Sequence, residues 1–342
     1  MEGRERVIKA VTFDGPDRVP IMHSSLRWAG SNQRRTELEK LLSLFPEDYS
    51  FSPYHGYLEK DLRSQRGTYR DKWGAVWKNL RGDIIGQVKF HPLENWEAFD
   101  SYEFPDPLDD PIFDVVEEHI RKKGHEKYIS VDYIDFFERM QVLRGFNNLI
   151  VDIMTQRREL YRLADRILDY NLQRIKRWNE IEVDEIYLGD DWGTQDNSMV
   201  SPEVWRRLFK PYYKKMVDAI HKGGKFVHFH SDGNILNLLP DIIDCGFDVI
   251  HLQVRLIGIE KIGNLFGGRV CFRADTDRQR ILPFGTPEEV KEHVRNIIRN
   301  LGSFNGGLIG YAMISPDVPL ENYKAFYETY RKYGRYPLTS EI

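Results

Sequence analysis

Residues 184–232 read DEIYLGDDWGTQDNSMVSPEVWRRLFKPYYKKMVDAIHKGGKFVHFHSD, and this stretch decides the fold. Two short β-rich runs, Asp184–Asp191 and Lys225–Asp232, flank a longer segment with helical apolar spacing. Ser201-Pro202 supplies an N-cap and a proline at the first helical position, and Gly223-Gly224 marks the end of the helix. A strand, a helix and a second strand in this order predict two neighbouring parallel strands.

The same alternation extends over most of the chain. Five further β-rich runs are Arg18–His23, Lys127–Tyr133, Asp248–Gln253, Arg269–Asp275 and Gly307–Met313. Another helix opens at Thr286-Pro287-Glu288-Glu289 and ends at Gly302. Seven visible strands predict an α/β fold, a TIM (β/α)8 barrel with one strand not recognised, and a doubly wound sheet is the alternative. No Gly-x-Gly-x-x-Gly follows a strand, so a dinucleotide-binding fold has no support.

The stretch at about 26–110 does not alternate and is rich in Tyr, Trp, Pro, Gly and charge. We interpret it as an N-terminal insertion that packs over the barrel mouth, where the carboxyl ends of the strands meet. It accounts for most of the excess over a bare barrel of about 250 residues. Residues 1–342 are therefore expected to form a single domain.

Composition excludes several classes of protein. The 49 Lys and Arg against 53 Asp and Glu give a net charge of −4, so no basic excess indicates a nucleic-acid partner. No run of 18 apolar residues predicts a membrane span, and Met1–Arg6 begins no signal peptide. Two cysteines, Cys245 and Cys271, provide neither a disulfide framework nor an all-cysteine zinc site. We expect a cytoplasmic protein without nucleic-acid or membrane partners.

Polar residues end most of the β-rich runs. They are His23, Asp132, Asp190, Asp191, His228, His230, Asp232, Gln253, Asp275, Asp277 and Tyr311. In a barrel the carboxyl ends of all strands surround one mouth, so these side chains are expected to lie together. The alternative is that they are ordinary solvated strand ends and turn starters.

His228 and His230 are the sharpest local feature. Residues i and i+2 on a strand share a face, so both imidazoles are expected to point into the barrel mouth. Two imidazoles on one face are good zinc ligands, and the alternative is a pair that hydrogen-bonds to substrate. The spacing leaves the remaining ligands open, and topology allows Asp190, Asp191, Asp275 and Cys271.

The Asp190-Asp191 pair follows a strand, where adjacent side chains face opposite ways. One carboxylate should therefore face the mouth, as a base or an anchor, while the other caps the loop. Weaker candidates for substrate binding are Trp73, Asp277, Gln279 and Tyr311. Trp73 could also be a core residue, like Trp77 and Trp96, and Cys245 is interpreted as a structural thiol.

Several motifs resemble those of the uroporphyrinogen decarboxylase superfamily. They are Asp17-Arg18-Val19-Pro20, Gly189-Asp190-Asp191-Trp192-Gly193, His228-Phe229-His230-Ser231-Asp232-Gly233-Asn234, Leu282-Pro283-Phe284-Gly285-Thr286-Pro287 and Pro319-Leu320-Glu321-Asn322. The resemblance covers essentially the whole chain and implies a TIM barrel. It also implies one of two chemistries, metal-free decarboxylation of uroporphyrinogen III or methyl transfer involving a corrinoid protein, usually with zinc.

The chain resembles the methyltransferase branch more closely than the true decarboxylases. The decarboxylase's arginine-rich loop has only a faint echo in Leu26-Arg27-Trp28-Ala29-Gly30, with Ser31 at the position of the second arginine. The methyltransferase zinc motif reads His-x-Cys, with a second Cys near the last strand. Here His228 matches the first ligand, His230 replaces the first Cys and Ala312 stands at the last position, which implies an altered metal site.

The sequence therefore predicts a methyltransferase that moves a methyl group to or from a corrinoid protein or related carrier. Its expected catalytic residues are His228, His230, Asp190 and Asp191, with the two histidines as ligands of zinc. The expected partners are a small-molecule methyl donor or acceptor and a protein that carries the corrinoid. A decarboxylase, a metal-dependent barrel hydrolase and a non-catalytic binding protein remain as alternatives. Replacing either histidine by alanine is expected to abolish activity and leave the fold nearly intact.

Overall fold

Eight parallel strands form a nearly closed barrel in the computed structural model, which describes residues 1–24, 26, 29–52, 65–81 and 85–339. The strands are β1 (Ile21–His23), β2 (Tyr49–Phe51), β3 (Gly67–Arg70), β4 (Val76–Asn79), β5 (Gln87–Phe90), β6 (Tyr128–Ile134), β7 (Glu185–Gly189), β8 (Phe226–Ser231), β9 (Val249–Leu252), β10 (Cys271–Asp275) and β11 (Leu308–Ala312). Their order in the barrel is β1-β11-β10-β9-β8-β7-β6-β2. The predicted TIM barrel is confirmed, and the doubly wound sheet is excluded.

Helices follow most of the barrel strands. They are α1 (Gly3–Val11), α2 (Asn32–Ser43), α3 (Ile112–Lys123), α4 (Phe137–Arg144), α5 (Phe146–Thr155), α6 (Arg158–Asn179), α7 (Pro202–Leu208), α8 (Lys210–Lys222), α9 (Leu239–Asp244), α10 (Val254–Ile257), α11 (Ile259–Phe266), α12 (Ile281–Phe284), α13 (Pro287–Leu301) and α14 (Leu320–Tyr333). A short 3₁₀ helix spans Trp96–Ser101. None of the helices in the described part of the chain has the length and apolar composition needed to cross a membrane.

The strand missed by the sequence analysis is β2, which lies inside the stretch 26–110. It has only three residues, Tyr-Ser-Phe, and pairs with β6. A run this short carries no measurable alternation, which explains why the sequence did not reveal it. The same stretch also contains α2 and a separate antiparallel sheet of order β3-β4-β5. The single-domain boundaries 1–342 and the packing of this stretch over the mouth stay predictions.

Asp48 joins the two ends of the barrel sheet, β1 and β2. Its amide N donates to Ile21 O at 3.0 Å, and its carboxylate accepts from Ile21 N at 2.8 Å. Arg6 Nη1 and Arg18 Nη1 donate to the same carboxylate at 2.6 and 2.8 Å. Asp48 is 2% exposed, so this charged cluster closes the barrel in place of a regular strand ladder.

The barrel strands bury both faces. In β10, Phe272 and Ala274 point outward into the apolar layer under the helices, while Cys271, Arg273 and Asp275 point into the barrel. One layer of the interior is apolar and aromatic and contains Met22, Tyr49, Tyr128, Val249, Cys271, Ile309 and Tyr311. The polar site described next lies on top of this layer.

The helix predicted from Ser201 is present but broken. The Ser201 side chain caps α7 by accepting from Val204 N at 3.3 Å. The helix then stops at Leu208, and α8 begins at Lys210. Pro211 in the first turn of α8 has no N–H and cannot continue the bonding pattern of α7, which explains the break. Thr286 caps α13 with a capping box to Glu289, as its sequence predicts.

Candidate active site

His228 and His230 lie on the inner face of β8. Phe229 between them is fully buried and packs outward against Tyr213 and Phe247. Both imidazoles contact the Tyr187 ring, with centroid distances of 4.4 Å for His228 and 6.3 Å for His230. The two rings therefore share one face, as strand periodicity predicts, but they belong to two different hydrogen-bonded groups.

The deeper group is His228 with Glu185. His228 Nδ1 lies 3.0 Å from Glu185 Oε1, which also accepts from Ser130 Oγ at 2.6 Å. Burial raises the pKa of Glu185 to about 7. Burial and the nearby Arg273 charge hold the pKa of His228 well below its usual value, so this imidazole is neutral. Its Nε2 is buried and accepts no hydrogen bond within the described chain.

The sequence analysis missed Glu185, which is fully buried. The signal that could have revealed it is its position in β7, where Glu185 shares the inward phase with Tyr187. A carboxylate inside an apolar barrel strand requires a partner, and His228 on the neighbouring strand supplies one.

The outer group consists of His230 with Asp191 and Asp232. His230 Nε2 lies 3.7 Å from Asp191 Oδ1 and 3.6 Å from Asp232 Oδ1. One ligand atom from each of these residues lies within 4.8 Å of the other two, and His228 does not join this group. Burial lowers the pKa of His230, against the opposing effect of the two carboxylates. The three side chains together offer one nitrogen and two carboxylate oxygens.

Two glycines bring these carboxylates together. A Cβ on Gly193 would lie 2.5 Å from the carbonyl carbon of Gly233, whose own φ is +80°. The contact joins the loop after β7 to the loop after β8, and Asn234 N donates to Thr194 O across it at 2.7 Å. Only glycine permits this approach and this backbone angle together. Asp232 N consequently donates to Asp191 Oδ1 at 2.7 Å.

Asp190 faces away from this group. Its carboxylate accepts from Phe136 N at 3.0 Å, Glu138 N at 2.6 Å and Tyr213 OH at 2.6 Å. It therefore holds the start of α4, and burial raises its pKa to about 7. The structure places Asp191, and not Asp190, beside His230. Asp191 faces the mouth, as expected for one member of the pair, whereas Asp190 bonds to the start of α4 and not to the loop that it was expected to cap.

Asp132 also points away from the mouth, contrary to the expectation for strand ends. It has a φ of +64°, and the pairing of β6 with β7 shifts register between Val131 and Ile134. This irregularity turns the carboxylate outward, where it accepts from Arg174 Nε at 3.0 Å and Trp178 Nε1 at 2.6 Å. Strand periodicity alone could not anticipate the local reversal.

Cys271 lies at the wrong end of its strand to bind the same metal ion as His230. It begins β10, whereas Asp275 ends it, and four residues of strand span about 13 Å. Its side chain lies in the apolar interior layer, where burial raises the thiol pKa well above the usual value. Cys245 follows α9, is fully buried and has its pKa raised to about 12 by burial, consistent with a structural thiol.

His251 and Asp275 stand beside the outer group. His251 Nε2 lies 2.7 Å from Asp275 Oδ1, and the imidazole packs on His230 with a centroid distance of 4.5 Å. Tyr311 is buried below them, with its ring 5.2 Å from His251 and the Arg273 guanidinium 4.6 Å above it. Tyr311 thus contributes to the interior wall of the site.

A small, partly open cavity lies next to Asp275. Its lining residues are Gln253, Val254, Arg255, Leu256, Asp275, Asp277, Arg278 and Gln279. Asp277 forms an ion pair with Arg255 at 2.7 Å and accepts from Gln279 N at 3.0 Å, so its carboxylate holds the turn. Gln279 is exposed at the edge of the cavity.

Trp73 belongs to a packed cluster and not to this cavity. It is 4% exposed, with its ring 4.6 Å from that of Tyr170 and under the Arg139 guanidinium at 4.6 Å. Trp77 Nε1 donates to Asp71, and Trp96 packs under Arg144. The Trp73 and Trp96 contacts connect the stretch 65–110 to α4 and α6 and support a packing role for these two residues, whereas the Trp77 contact stays within the stretch.

Comparisons with known proteins agree with this architecture. The family model described as uroporphyrinogen decarboxylase (URO-D) matches residues 88–333. A uroporphyrinogen decarboxylase of Pseudoalteromonas translucida is 28% identical over 174 residues, which cover 49% of this chain and 45% of that protein. The methylcobamide:CoM methyltransferase MtbA of Methanosarcina mazei is 25% identical over 261 residues, 73% of this chain and 74% of that protein.

A solved structure shows the same fold. The structure of a methyltransferase from Methanosarcina mazei aligns with a TM-score of 0.71 at 17% identity, and the alignment covers 97% of this chain and 99% of that one. At this identity the likeness establishes the barrel fold, while the chemistry has to be argued from the site.

Proposed function

The chain belongs to the uroporphyrinogen decarboxylase family, and we propose that it is an enzyme of that family that moves a methyl group to or from a corrinoid protein or related carrier. Its relatives are enzymes, and the similarity to the methyltransferase extends over a larger share of the chain than the similarity to the decarboxylase. The second reactant is a small-molecule methyl donor or acceptor that enters the barrel mouth.

One observation favours methyl transfer over decarboxylation of uroporphyrinogen. The two arginines at the cavity are already paired with carboxylates, Arg255 with Asp277 and Arg278 with Asp232. A substrate that carries eight carboxylates needs guanidinium groups available to bind them. The faint echo of the decarboxylase loop includes Arg27 and Trp28, which lie outside the described residues.

His230, Asp191 and Asp232 fit a divalent metal ion. A neutral imidazole with two carboxylates is a donor set that zinc accepts, and it differs from the thiolate set that the family resemblance implies. His228 would stand behind this set, with its Nδ1 occupied by Glu185. A bound zinc ion would supply Lewis acidity to the reacting heteroatom of the methyl donor or acceptor.

The chain's own residues have separate tasks in this proposal. Arg278 donates to Asp232 Oδ2 and leaves Oδ1 directed at His230, which keeps the outer group in position. His230 and Asp191 supply the other two donor atoms of the group, which would hold the metal ion beside the reacting heteroatom. Glu185 holds the neutral His228 at the floor of the site.

The proposal is tested by incubating the purified protein with methylcobalamin and a panel of thiols, and following loss of the methyl-cobalt absorbance. We expect zinc-dependent turnover that is lost in His230→Ala. His221→Ala is the matched control. His221 lies on α8, outside the barrel interior, and pairs with Asp248.

Uroporphyrinogen III should give no measurable product in a parallel assay, because each buried carboxylate left without a partner costs several kcal/mol. Stoichiometric formation of coproporphyrinogen would establish the decarboxylase alternative instead. Hydrolysis of esters or amides without methyl transfer would favour the hydrolase, and tight ligand binding without turnover would favour the binding protein.

A further inference from the structure

A chain of hydrogen bonds runs across the inner faces of β10 and β9 and ends at the cavity. The Arg273 guanidinium donates to His251 Nδ1, and His251 Nε2 lies 2.7 Å from Asp275 Oδ1. Arg273, His251 and Asp275 are 1%, 2% and 4% exposed. The three groups are therefore removed from water, where hydrogen bonds of this kind fix orientation strongly.

Arg273 determines the tautomer of His251. A guanidinium has only N–H donors and remains protonated, so the Nδ1 that faces it must be an acceptor. The single ring proton is then on Nε2, which donates it to Asp275. Burial, the Arg273 charge and the neighbouring His230 hold the pKa of His251 well below its usual value. His251 therefore serves as a fixed neutral donor.

The other carboxylate oxygen, Asp275 Oδ2, is directed to no donor in the described chain. It is buried without a hydrogen bond, and the nearest cation is Arg278 with its Nε at 3.8 Å. Asp275 also lines the small, partly open cavity, and so does Arg278, which pairs with Asp232 of the metal-binding group. A ligand in that cavity would find one carboxylate oxygen held in place by His251 and one available for its own proton.

We propose that Asp275 is the catalytic residue that exchanges a proton with the reacting heteroatom, and that His251 and Arg273 are its positioning residues. The inference rests on the proposed function and makes it more specific, because the acceptor must then be a protic compound of the thiol or phenol type. The heteroatom–hydrogen bond breaks, the proton goes to Asp275 Oδ2, and the electron pair stays on the heteroatom. That pair forms the new bond to the methyl carbon, while the bond between methyl and carrier breaks and its pair leaves with the carrier.

The charged surroundings of Asp275 suit this role. Burial raises its pKa to about 6, and Arg278 and Arg273 oppose that rise while Asp232 and Asp277 add to it. A base must be ionised to accept a proton, so the rate is expected to rise with pH through about 6 and to level off above it.

The kinetic test uses Asp275→Asn, His251→Gln and His251→Ala, with His221→Gln as the control. Asp275→Asn should lower kcat by about 10²–10⁴-fold without the rise near pH 6, and zinc content should be unchanged. His251→Gln keeps a donor near the Nε2 position and should retain the pH midpoint of the wild type. His251→Ala should shift the midpoint upward, because the ionised carboxylate loses a donor. An unchanged pH profile in Asp275→Asn would overturn the inference.

A measurement without substrate separates this inference from the proposed function. Nitrogen-15 NMR of the holoprotein, with His251→Gln for assignment, should show the Nε2–H tautomer of His251 at every pH between 5.5 and 8. Carbon-13 NMR of the carboxyl groups, with Asp275→Asn for assignment, should place the Asp275 midpoint near 6.

The two arms give distinct outcomes. If the wild type transfers no methyl group, the proposed function fails. The NMR result then shows independently whether Arg273, His251 and Asp275 are hydrogen-bonded as inferred. An Nδ1–H tautomer of His251, or an Asp275 midpoint that does not match the midpoint of the kinetic pH profile, would overturn the inference even if methyl transfer is observed.

Discussion

His228 and His230 differ in burial, and we expect their alanine variants to differ in stability. His228→Ala leaves a cavity and removes the partner of the buried Glu185, which should lower the free energy of unfolding by about 2–4 kcal/mol. His230→Ala opens space at the mouth and should cost about 1 kcal/mol or less. Urea unfolding of the two variants measures the difference. Equal losses would show that the Glu185 contact adds no stability.

This prediction revises the sequence-based expectation that either alanine leaves the fold nearly intact. Strand periodicity correctly places the two imidazoles on one face, but it does not predict how deep in the barrel each imidazole lies. The depth follows from the register of β7 and β8, which sets Tyr187 beside His228 and Gly189 beside His230.

Zinc binding is expected to depend on Asp191 and Asp232. Replacing either residue by Asn should lower the affinity for zinc at least tenfold, because a carboxylate ligand is lost from the group around His230. Isothermal titration calorimetry measures this affinity. Asp196→Asn, an exposed position in the same loop, is the control. If His228→Ala abolished binding while both Asn variants kept it, the metal would belong to the histidine pair that the sequence alone suggests.

Among the structural elements, the loops after β7 and β8 meet at Gly193 and Gly233. Two alanine variants can separate the steric effect of this contact from the effect of a strained backbone angle. Gly233→Ala should reduce zinc affinity and activity at least tenfold, because its Cβ would lie 2.3 Å from the carbonyl group of Gly193. Gly224 has a similar φ of +71°, but an added Cβ there would meet nothing within 4 Å. Gly224→Ala should therefore lower the free energy of unfolding only by the roughly 1 kcal/mol of a strained backbone. Equal effects of the two variants on the site would exclude the loop contact as its organiser.

His293 connects α13 to the loop after β10 and makes stability pH-dependent. Its Nε2 accepts from Asp277 N at 3.2 Å, and burial lowers its pKa from 6.5 to about 4. The neutral imidazole therefore stabilises the fold above pH 6.5, and this contribution, about 3 kcal/mol at most, is lost as pH falls from 6.5 toward 4.

Thermal or urea unfolding at pH 7.5 and 5 measures this effect. His293→Gln should show a smaller loss on acidification than the wild type. His221→Gln should show a larger one, because the hydrogen bond to Asp248 raises the pKa of His221 and its contribution is greatest at low pH. The same slope in all three proteins would contradict the assignment.

The elements that the sequence predicted best are those with local signals. Ser201 and Thr286 mark helix starts because their side chains bond to backbone N–H groups three residues ahead. The sequence predicts a single helix across Pro211, so it does not reveal the break between α7 and α8. Asp132 was misplaced because a register shift within β6 has no sequence signal in one chain.

The residues of the candidate site also fall into those that the sequence reveals and those that it does not. Motif positions such as Asp191, His230 and Asp232 could be selected, since they follow buried runs that end at the mouth. Glu185 and Arg273 were missed because they lie in strands, and their partners, His228 for Glu185 and His251 and Tyr187 for Arg273, lie on other strands. The choice between Asp190 and Asp191 likewise required the three-dimensional register.

For the whole molecule, we expect Asp48 to be the most sensitive position in the barrel closure. Asp48→Asn should lower the free energy of unfolding by about 3–5 kcal/mol, because Arg6 and Arg18 would lose a shared buried carboxylate. Asp14→Asn, whose exposed carboxylate pairs with Lys9, should change it by about 0.5 kcal/mol or less. Denaturant unfolding of both variants measures the contrast, and comparable losses would mean that the closure is held elsewhere.

The pairing of β1 with β11 also determines how the protein must be made. Ile21 pairs with Gly310, so the first barrel strand waits for a partner that lies 289 residues (310 − 21) further along the chain. At about 5–20 residues per second, this delay on the ribosome is roughly 15–60 s. During this delay the nascent chain exposes β1 and the free edge of the strand completed most recently, and such edges invite pairing with other chains. Shielding by a chaperone that binds nascent chains is therefore expected to matter more for the yield of this protein than for one whose first strands pair with each other.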